Sequence, residues 1–211
     1  MDHDDCITLA EQTGLVLSIG PWMLRRACEQ LQEWRERLGV AVPPVRVDLT
    51  TNLIQDPDLV AVVRSTLAAT GLRAADVQLG MPVETIVAGH GDAVDNVRTL
   101  AEIGVCVVLT HYGEALGNLV LLESLPVRVV ELASSLVRAA GQRPDSVVRS
   151  AVACMMPLIR RTGTAVVMAG VADPEQARWW GRTGADSARG AAFAQPVASQ
   201  DVPELLASQR Q

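Results

Sequence analysis

Residues 105–133, VCVVLTHYGEALGNLVLLESLPVRVVELA, decide the fold of this chain. Residues 105–109 form an unbroken apolar run, the signature of a strand buried on both faces, as in a parallel sheet. Turn chemistry follows at Thr110 and Gly113, and a polar loop with His111, Tyr112 and Glu114 is expected there. Leu116, Leu119, Val120 and Glu123 then recur at helical spacing, and residues 127–132 make a second β-rich run. Strand, loop, helix and strand in that order make the parallel crossover unit. In α/β barrels the chemistry stands at the carboxyl ends of such strands, so the residues there carry the functional question.

Working outward, residues 7–12 suggest a helical turn ended by Gly14. Ser18 is expected to cap a helix over residues 21–38, with Leu24, Cys28, Leu31 and Trp34 on one face and Gly39 as its stop. Pro43 and Pro44 force an extended approach to a strand at 45–49. Asp56-Pro57 is expected to open the next helix, with Leu59, Val63 and Leu67 as its stripe and Gly71 as its end. A strand at 76–81, a loop from Pro82 through Gly89-His90-Gly91 and a helix at 94–103 lead into the opening stretch.

Beyond it, Pro144 and Asp145 are expected to start a long helix to Arg161. A buried strand lies at 165–169, and Asp173 through Gln176 read as a helix start with a capping-box glutamine. The last strand is expected at 187–193 and a terminal helix at 203–208. The pattern is six strands alternating with helices in one domain over residues 1–211, two strands short of a closed (β/α)8 barrel.

Composition bounds the function. Apolar residues make up 49% of the 211 residues, which is the balance of a globular domain. The net charge of −6 speaks against a nucleic-acid surface, which needs a basic stripe. All 18 basic residues are arginine, so no lysine-dependent step is available. Cys6, Cys28, Cys106 and Cys154 lack metal-site spacing and read as small core residues in a reducing, cytoplasmic compartment. No basic-then-apolar leader pattern is present, and no apolar run is long enough to span a bilayer.

Five segments, at 7–34, 45–60, 103–137, 164–180 and 188–196, resemble in order and spacing the segments of an EAL domain, the family of cyclic di-GMP phosphodiesterases and their inactive relatives. The resemblance implies a modified (β/α)8 barrel, here incomplete, with the opening strands and the Glu-Ala-Leu signature missing. Strand 45–49 is then expected to be an unpaired edge that recruits another chain.

Position by position, the resemblance also implies a failed catalytic site. The family's metal-binding Asn has Asp48 in its place, and the Glu of the next strand has Gly80, with Val83 three residues on. The paired Asp-Asp is Thr110-His111, the catalytic Lys is Glu131, and the Asp two beyond it is Ala133. The following Glu is Ala169, and the Gln at the last strand is Arg189. The family uses two Mg or Mn ions, and a two-metal clamp needs converging hard oxygen ligands. The expectation is therefore no cofactor and no catalytic residue.

Asp48, His111 and Glu131 offer the one alternative metal set, a mononuclear site, against the plainer reading of a solvated barrel mouth. An ion pair of Arg189 with Glu131 is expected to fill the old pocket, ahead of a phosphate bound by Arg189. Of Trp179 and Trp180, one must face away from the core, since adjacent helical positions point about 100° apart.

The implied role is regulatory, through a protein partner, a neighbouring signalling domain or a second copy of the chain. The alternatives are a phosphodiesterase with residual or altered activity and a receptor that holds cyclic di-GMP without cutting it. Loss of the signature strand and of the metal ligands argues against tight binding of the dinucleotide.

Overall fold

The computed structural model describes residues 16–39, 42–114, 119–143 and 145–208. The expected helical turn at 7–12, Cys6, Leu116 and Pro144 lie outside them. The chain divides into two compact units, one of Met1–Met81, Ala88–Cys106 and Ala198–Gln211, the other of Pro82–Val87 and Val107–Val197.

In the first unit, α1 (Val16–Leu38) packs on β1 (Val45–Asp48), on the short α2 (Thr51–Ile54) and on α3 (Leu59–Thr70). Leu24, Cys28 and Leu31 are buried at helical spacing, as the stripe requires. Trp34 completes that face, and its Nε1 donates to the Ser199 carbonyl at 2.9 Å, which ties the segment before α10 (Val202–Ser208) to α1. Ser18 lies within α1 rather than capping it, and the helix runs through Pro21. Pro21 has no backbone N–H to donate, and the helix continues past it. Likewise α3 opens at Leu59 and not at Pro57, because the Asp56 carboxylate accepts the Asp58 N–H and makes a turn there first. Gly71 ends α3 in the left-handed region, φ 67°, as its position implied.

Strand β2 (Val77–Pro82) pairs in parallel with β1, placing Asp48 opposite Gly80. A single 3-10 turn at Ala74–Asp76 precedes it, held by Asp76. The Asp76 carboxylate takes hydrogen bonds from Arg35 and from Arg73, both at 2.9 Å. Those two guanidiniums, Arg35 first, hold its carboxyl well below the usual carboxylate range. Helix α5 (Ala93–Glu102) follows, and its buried Asn96 donates to the carbonyls of Ile54 and Asp56.

In the second unit, β3 (Cys106–Tyr112), β4 (Val129–Leu132), β5 (Ala165–Met168) and β6 (Ser187–Ala188) run parallel in chain order. Val107, Val108 and Leu109 are all buried, the outcome expected of a strand covered on both faces. The polar loop expected after Leu109 is instead the end of β3. Tyr112 pairs with Leu132 and accepts the Ala133 N–H, so the ladder carries Thr110, His111 and Tyr112 onward until Gly113 turns at φ 97°.

Residues 83–88 also differ from expectation, forming α4 (Val83–Ala88) rather than a loop. Burial of Val83, Thr85 and Ile86 stabilises it, and Gly89 at φ 62° stops it. A helix α6 (Leu119–Ser124) and an unexpected α7 (Ser134–Gln142) precede α8 (Val147–Arg161), which Ser146 caps. Ser134–Gln142 reads as polar, yet Val137 and Ala140 give it a buried face.

Asp173 caps α9 (Pro174–Thr183) by accepting the Gln176 N–H at 2.9 Å. The Gln176 side chain accepts from Ala172, one residue before the expected box partner. Strand β6 stops after two residues, short of the expected Phe193. Gly190 turns the chain away at φ 145°, where an added Cβ would strike the Val171 backbone. Cys28 is buried, which pushes its thiol up to about 11, whereas Cys154 is exposed on α8 and not a core residue. No helix among the described residues is long and apolar enough to cross a membrane.

Candidate functional site

Six positions of the second unit and two of the first carry the question raised by the strand ends. In the first unit, Arg46 and Asp48 lie two apart on β1, so their side chains share a face. Arg46 Nε donates to Asp48 Oδ1 at 2.7 Å, with the arginine largely covered and the carboxylate half-exposed. The pair lies across Gly80. A Cβ built on Gly80 would fall onto Asp48 Oδ1 and within 3.2 Å of Arg46 Nε. The space a side chain at position 80 would use is therefore occupied by an ion pair.

In the second unit, Glu131 stands on β4 opposite Val167 of β5, which in turn pairs with Ser187 of β6. Arg189, two residues on, shares the Ser187 face by strand alternation and reaches over β5, a span of about 10 Å. Its Nε and Nη2 each donate at 2.7 Å, one to each Glu131 oxygen. The Glu131 side chain is 4% exposed and that of Arg189 57%, so a buried carboxylate is neutralised by a guanidinium at the surface. The Arg189 backbone is pinned as well, donating to Met168 and accepting from Val171. The expected Glu131–Arg189 pair is thus present in the geometry that gives the strongest carboxylate–guanidinium contact.

His111 has φ 56°, the one positive φ outside glycine among the described residues. It sits where the β3–β4 register shifts between Leu109 and Tyr112, and such bulges re-aim side chains. Its Nδ1 lies 3.0 Å from Glu84 Oε1, on the first turn of α4. Glu84 escaped the sequence reading because residues 83–88 were expected as loop; the spacing of Val83 and Ile86 around it is the signal that could have found it. Arg46 was missed although its i, i+2 relation to Asp48 is readable in any strand. Nearby, Ser135 Oγ donates to Glu114 Oε1 at 2.6 Å.

Thr110, Ala133 and Ala169 are buried and present a hydroxyl and two methyl groups. Among the described residues no three His, Cys, Asp or Glu side chains come together as a metal-holding group. Asp48 is engaged by Arg46, Glu131 by Arg189 and His111 by Glu84. Of the carboxylates described at these strand ends, Asp48 and Glu131 are each neutralised by an arginine, while Glu84 faces an imidazole.

A family model described as "EAL domain" matches residues 1–196. A protein of Caulobacter vibrioides described as an "uncharacterized signaling protein" is 29% identical over 174 residues, 82% of this chain and 20% of that protein. The chain therefore spans about a fifth of that relative's length. Among solved structures, the PaMucR phosphodiesterase in complex with c-di-GMP superposes with a TM-score of 0.84 at 24% identity, over 93% of this chain and 78% of that one. The EAL domain of Mycobacterium smegmatis DcpA gives 0.81 at 24% identity, over 90% and 84%. These likenesses establish the fold, a (β/α)8-type barrel of which the described residues supply six strands.

Proposed function

Because the chain belongs to the EAL domain family, we propose that it is a catalytically inactive member, one that acts in cyclic di-GMP-type signalling by binding and not by hydrolysis. The observation that carries this reading is the Glu131–Arg189 pair, in which two 2.7 Å bonds commit a buried carboxylate to an arginine. The Arg46–Asp48 pair over Gly80 supports it in the same way, since both replace a cation-binding arrangement by a finished ion pair. The helix caps and apolar strands are kept, so the scaffold persists where the ligand set does not. The reading includes no resident metal, and a protein partner, a neighbouring signalling domain or a second copy of this chain as what is bound.

The test is conversion of cyclic di-GMP to its linear form with magnesium or manganese. No conversion above a protein-free control is expected. Turnover that disappears in Asp48→Ala would overturn the reading in favour of a residual phosphodiesterase. A second reading, a receptor without hydrolysis, draws support from the half-exposed Arg189 guanidinium, a suitable phosphate contact. Calorimetric binding of cyclic di-GMP at micromolar or tighter affinity, about −8 kcal/mol, would favour that second reading.

A further inference from the structure

The outer face of α8 carries an apolar stripe with a charge at each end. Val147, Ala151, Cys154 and Leu158 stand at i, i+4, i+7 and i+11, and Arg161 at i+14, so all five fall within about 40° of one line along the helix. All five are exposed, Val147 at 83% and Leu158 at 48%, while Val152, Met156 and Ile159 fill the opposite, buried side. Asp145, also exposed, precedes the helix at the Val147 end, and Arg161 closes its last turn. Among the described residues neither makes an ion pair. At the Arg161 end, Leu119 and Leu122 of α6 join Leu158 around a cavity of about 560 Å³, which Glu123, Arg161 and Thr162 also line.

The order acid, apolar, small, small, apolar, base is its own complement when reversed. Set end for end against a second copy, with a two-fold axis between Val152 and Ala153, each Val147 meets the other copy's Leu158 and each Ala151 its Cys154. Asp145 then comes beside Arg161 at both ends, and the two helix dipoles run opposed. Small residues at the centre let the helices approach to the roughly 8–10 Å of close packing. Val147, the most exposed apolar side chain of the stripe, falls at the other copy's leucine-lined cavity. We propose that a second copy of the chain covers this face, as an isologous dimer in which α8 packs antiparallel on α8 and Val147 enters that cavity. Charge complementarity selects this occupant, because a partner segment of one sign leaves one end of the stripe opposed to a like charge. This deepens the reading of the chain as a binding module, by naming what is bound, and rests on it.

Sedimentation velocity of the full chain from about 1 to 100 μM tests the inference. A monomer–dimer equilibrium that shifts with concentration is expected. Val147→Glu, which places a charge at the other copy's cavity, is expected to weaken association by about tenfold or more. Asp145→Arg and Arg161→Asp each set like charges together at both ends of the stripe and are expected to weaken association too. The double variant swaps the two signs and is expected to return to within about threefold of the parent. Cooperative thermal unfolding of each variant reports that it is folded. A chain that stays monomeric throughout, a dimer that Val147→Glu leaves intact, or a double variant no tighter than the single ones overturns the α8 dimer. Such a failure without nucleotide turnover leaves the non-catalytic reading standing, while turnover of cyclic di-GMP removes that reading whatever the state of association.

Discussion

Arg189 closes over Glu131 with two parallel hydrogen bonds of 2.7 Å, although 58 residues separate them in the chain. The carboxylate is buried, and that guanidinium covers both of its oxygens. The interior of the second unit therefore holds a negative charge at position 131 with an arginine set against it. Removing Arg189 takes away that bidentate contact and leaves the carboxylate buried, whereas removing both groups does not.

Arg189→Ala is accordingly expected to destabilise the protein by about 2–4 kcal/mol, below the full buried-pair cost because the arginine is half-exposed. The double change Glu131→Leu with Arg189→Leu should recover most of that loss. Urea unfolding midpoints of the three proteins decide it; a double variant no more stable than Arg189→Ala would refute the account.

Asp76 links stability to acid. Its folded carboxyl is held down by Arg35 and Arg73, so its contribution is complete above the unfolded carboxylate range near pH 4 and is lost as pH falls toward the lower folded value. Asp76→Asn should lower stability at neutral pH and flatten the decline between about pH 5 and 2. Chemical denaturation across that range, showing parallel curves for the two proteins, would contradict this.

Gly80 tests the occupied pocket. Gly80→Glu should not create a cation site, because its Cβ collides with the Asp48 carboxylate and must displace the Arg46–Asp48 pair. A loss of about 1–3 kcal/mol is expected from the overpacking, with no stabilisation by added manganese. Asp48→Ala in the same background should relieve part of the loss. A thermal midpoint that rises with manganese would show that the position can still take a metal ligand.

His111 separates backbone strain from its contact with Glu84. Both His111→Ala and His111→Gly lose the imidazole, but only glycine is at ease with φ 56°. The glycine variant should be more stable than the alanine one by about 1 kcal/mol. Equal stabilities would mean that the backbone relaxes once the ring is gone.

The same contrast between local and distant causes separates what could be read from what could not. The apolar run ending at Leu109, the Asp173 cap, the Gly71 stop and the order of family-like segments are properties of neighbouring residues. Period, capping and turn chemistry act over a few positions, so the alternation of strands and helices was legible from them. Element ends were less so. β3 continues through His111 because a neighbouring strand keeps offering hydrogen bonds, and β6 stops because Gly190 must pass close to Val171. That positions 80, 133 and 169 carry glycine and two alanines, with no carboxylate to offer, is visible in the residues themselves. What fills their place was decided only by tertiary structure. Glu84 meets His111 because α4 forms, and Arg46 with Asp48 covers Gly80 because β1 lies beside β2 in that register. Arg189 reaches Glu131 because β5 brings β4 and β6 to the distance an arginine side chain spans. Each is a contact between groups whose separation depends on how strands are ordered and registered, and no local pattern encodes that distance.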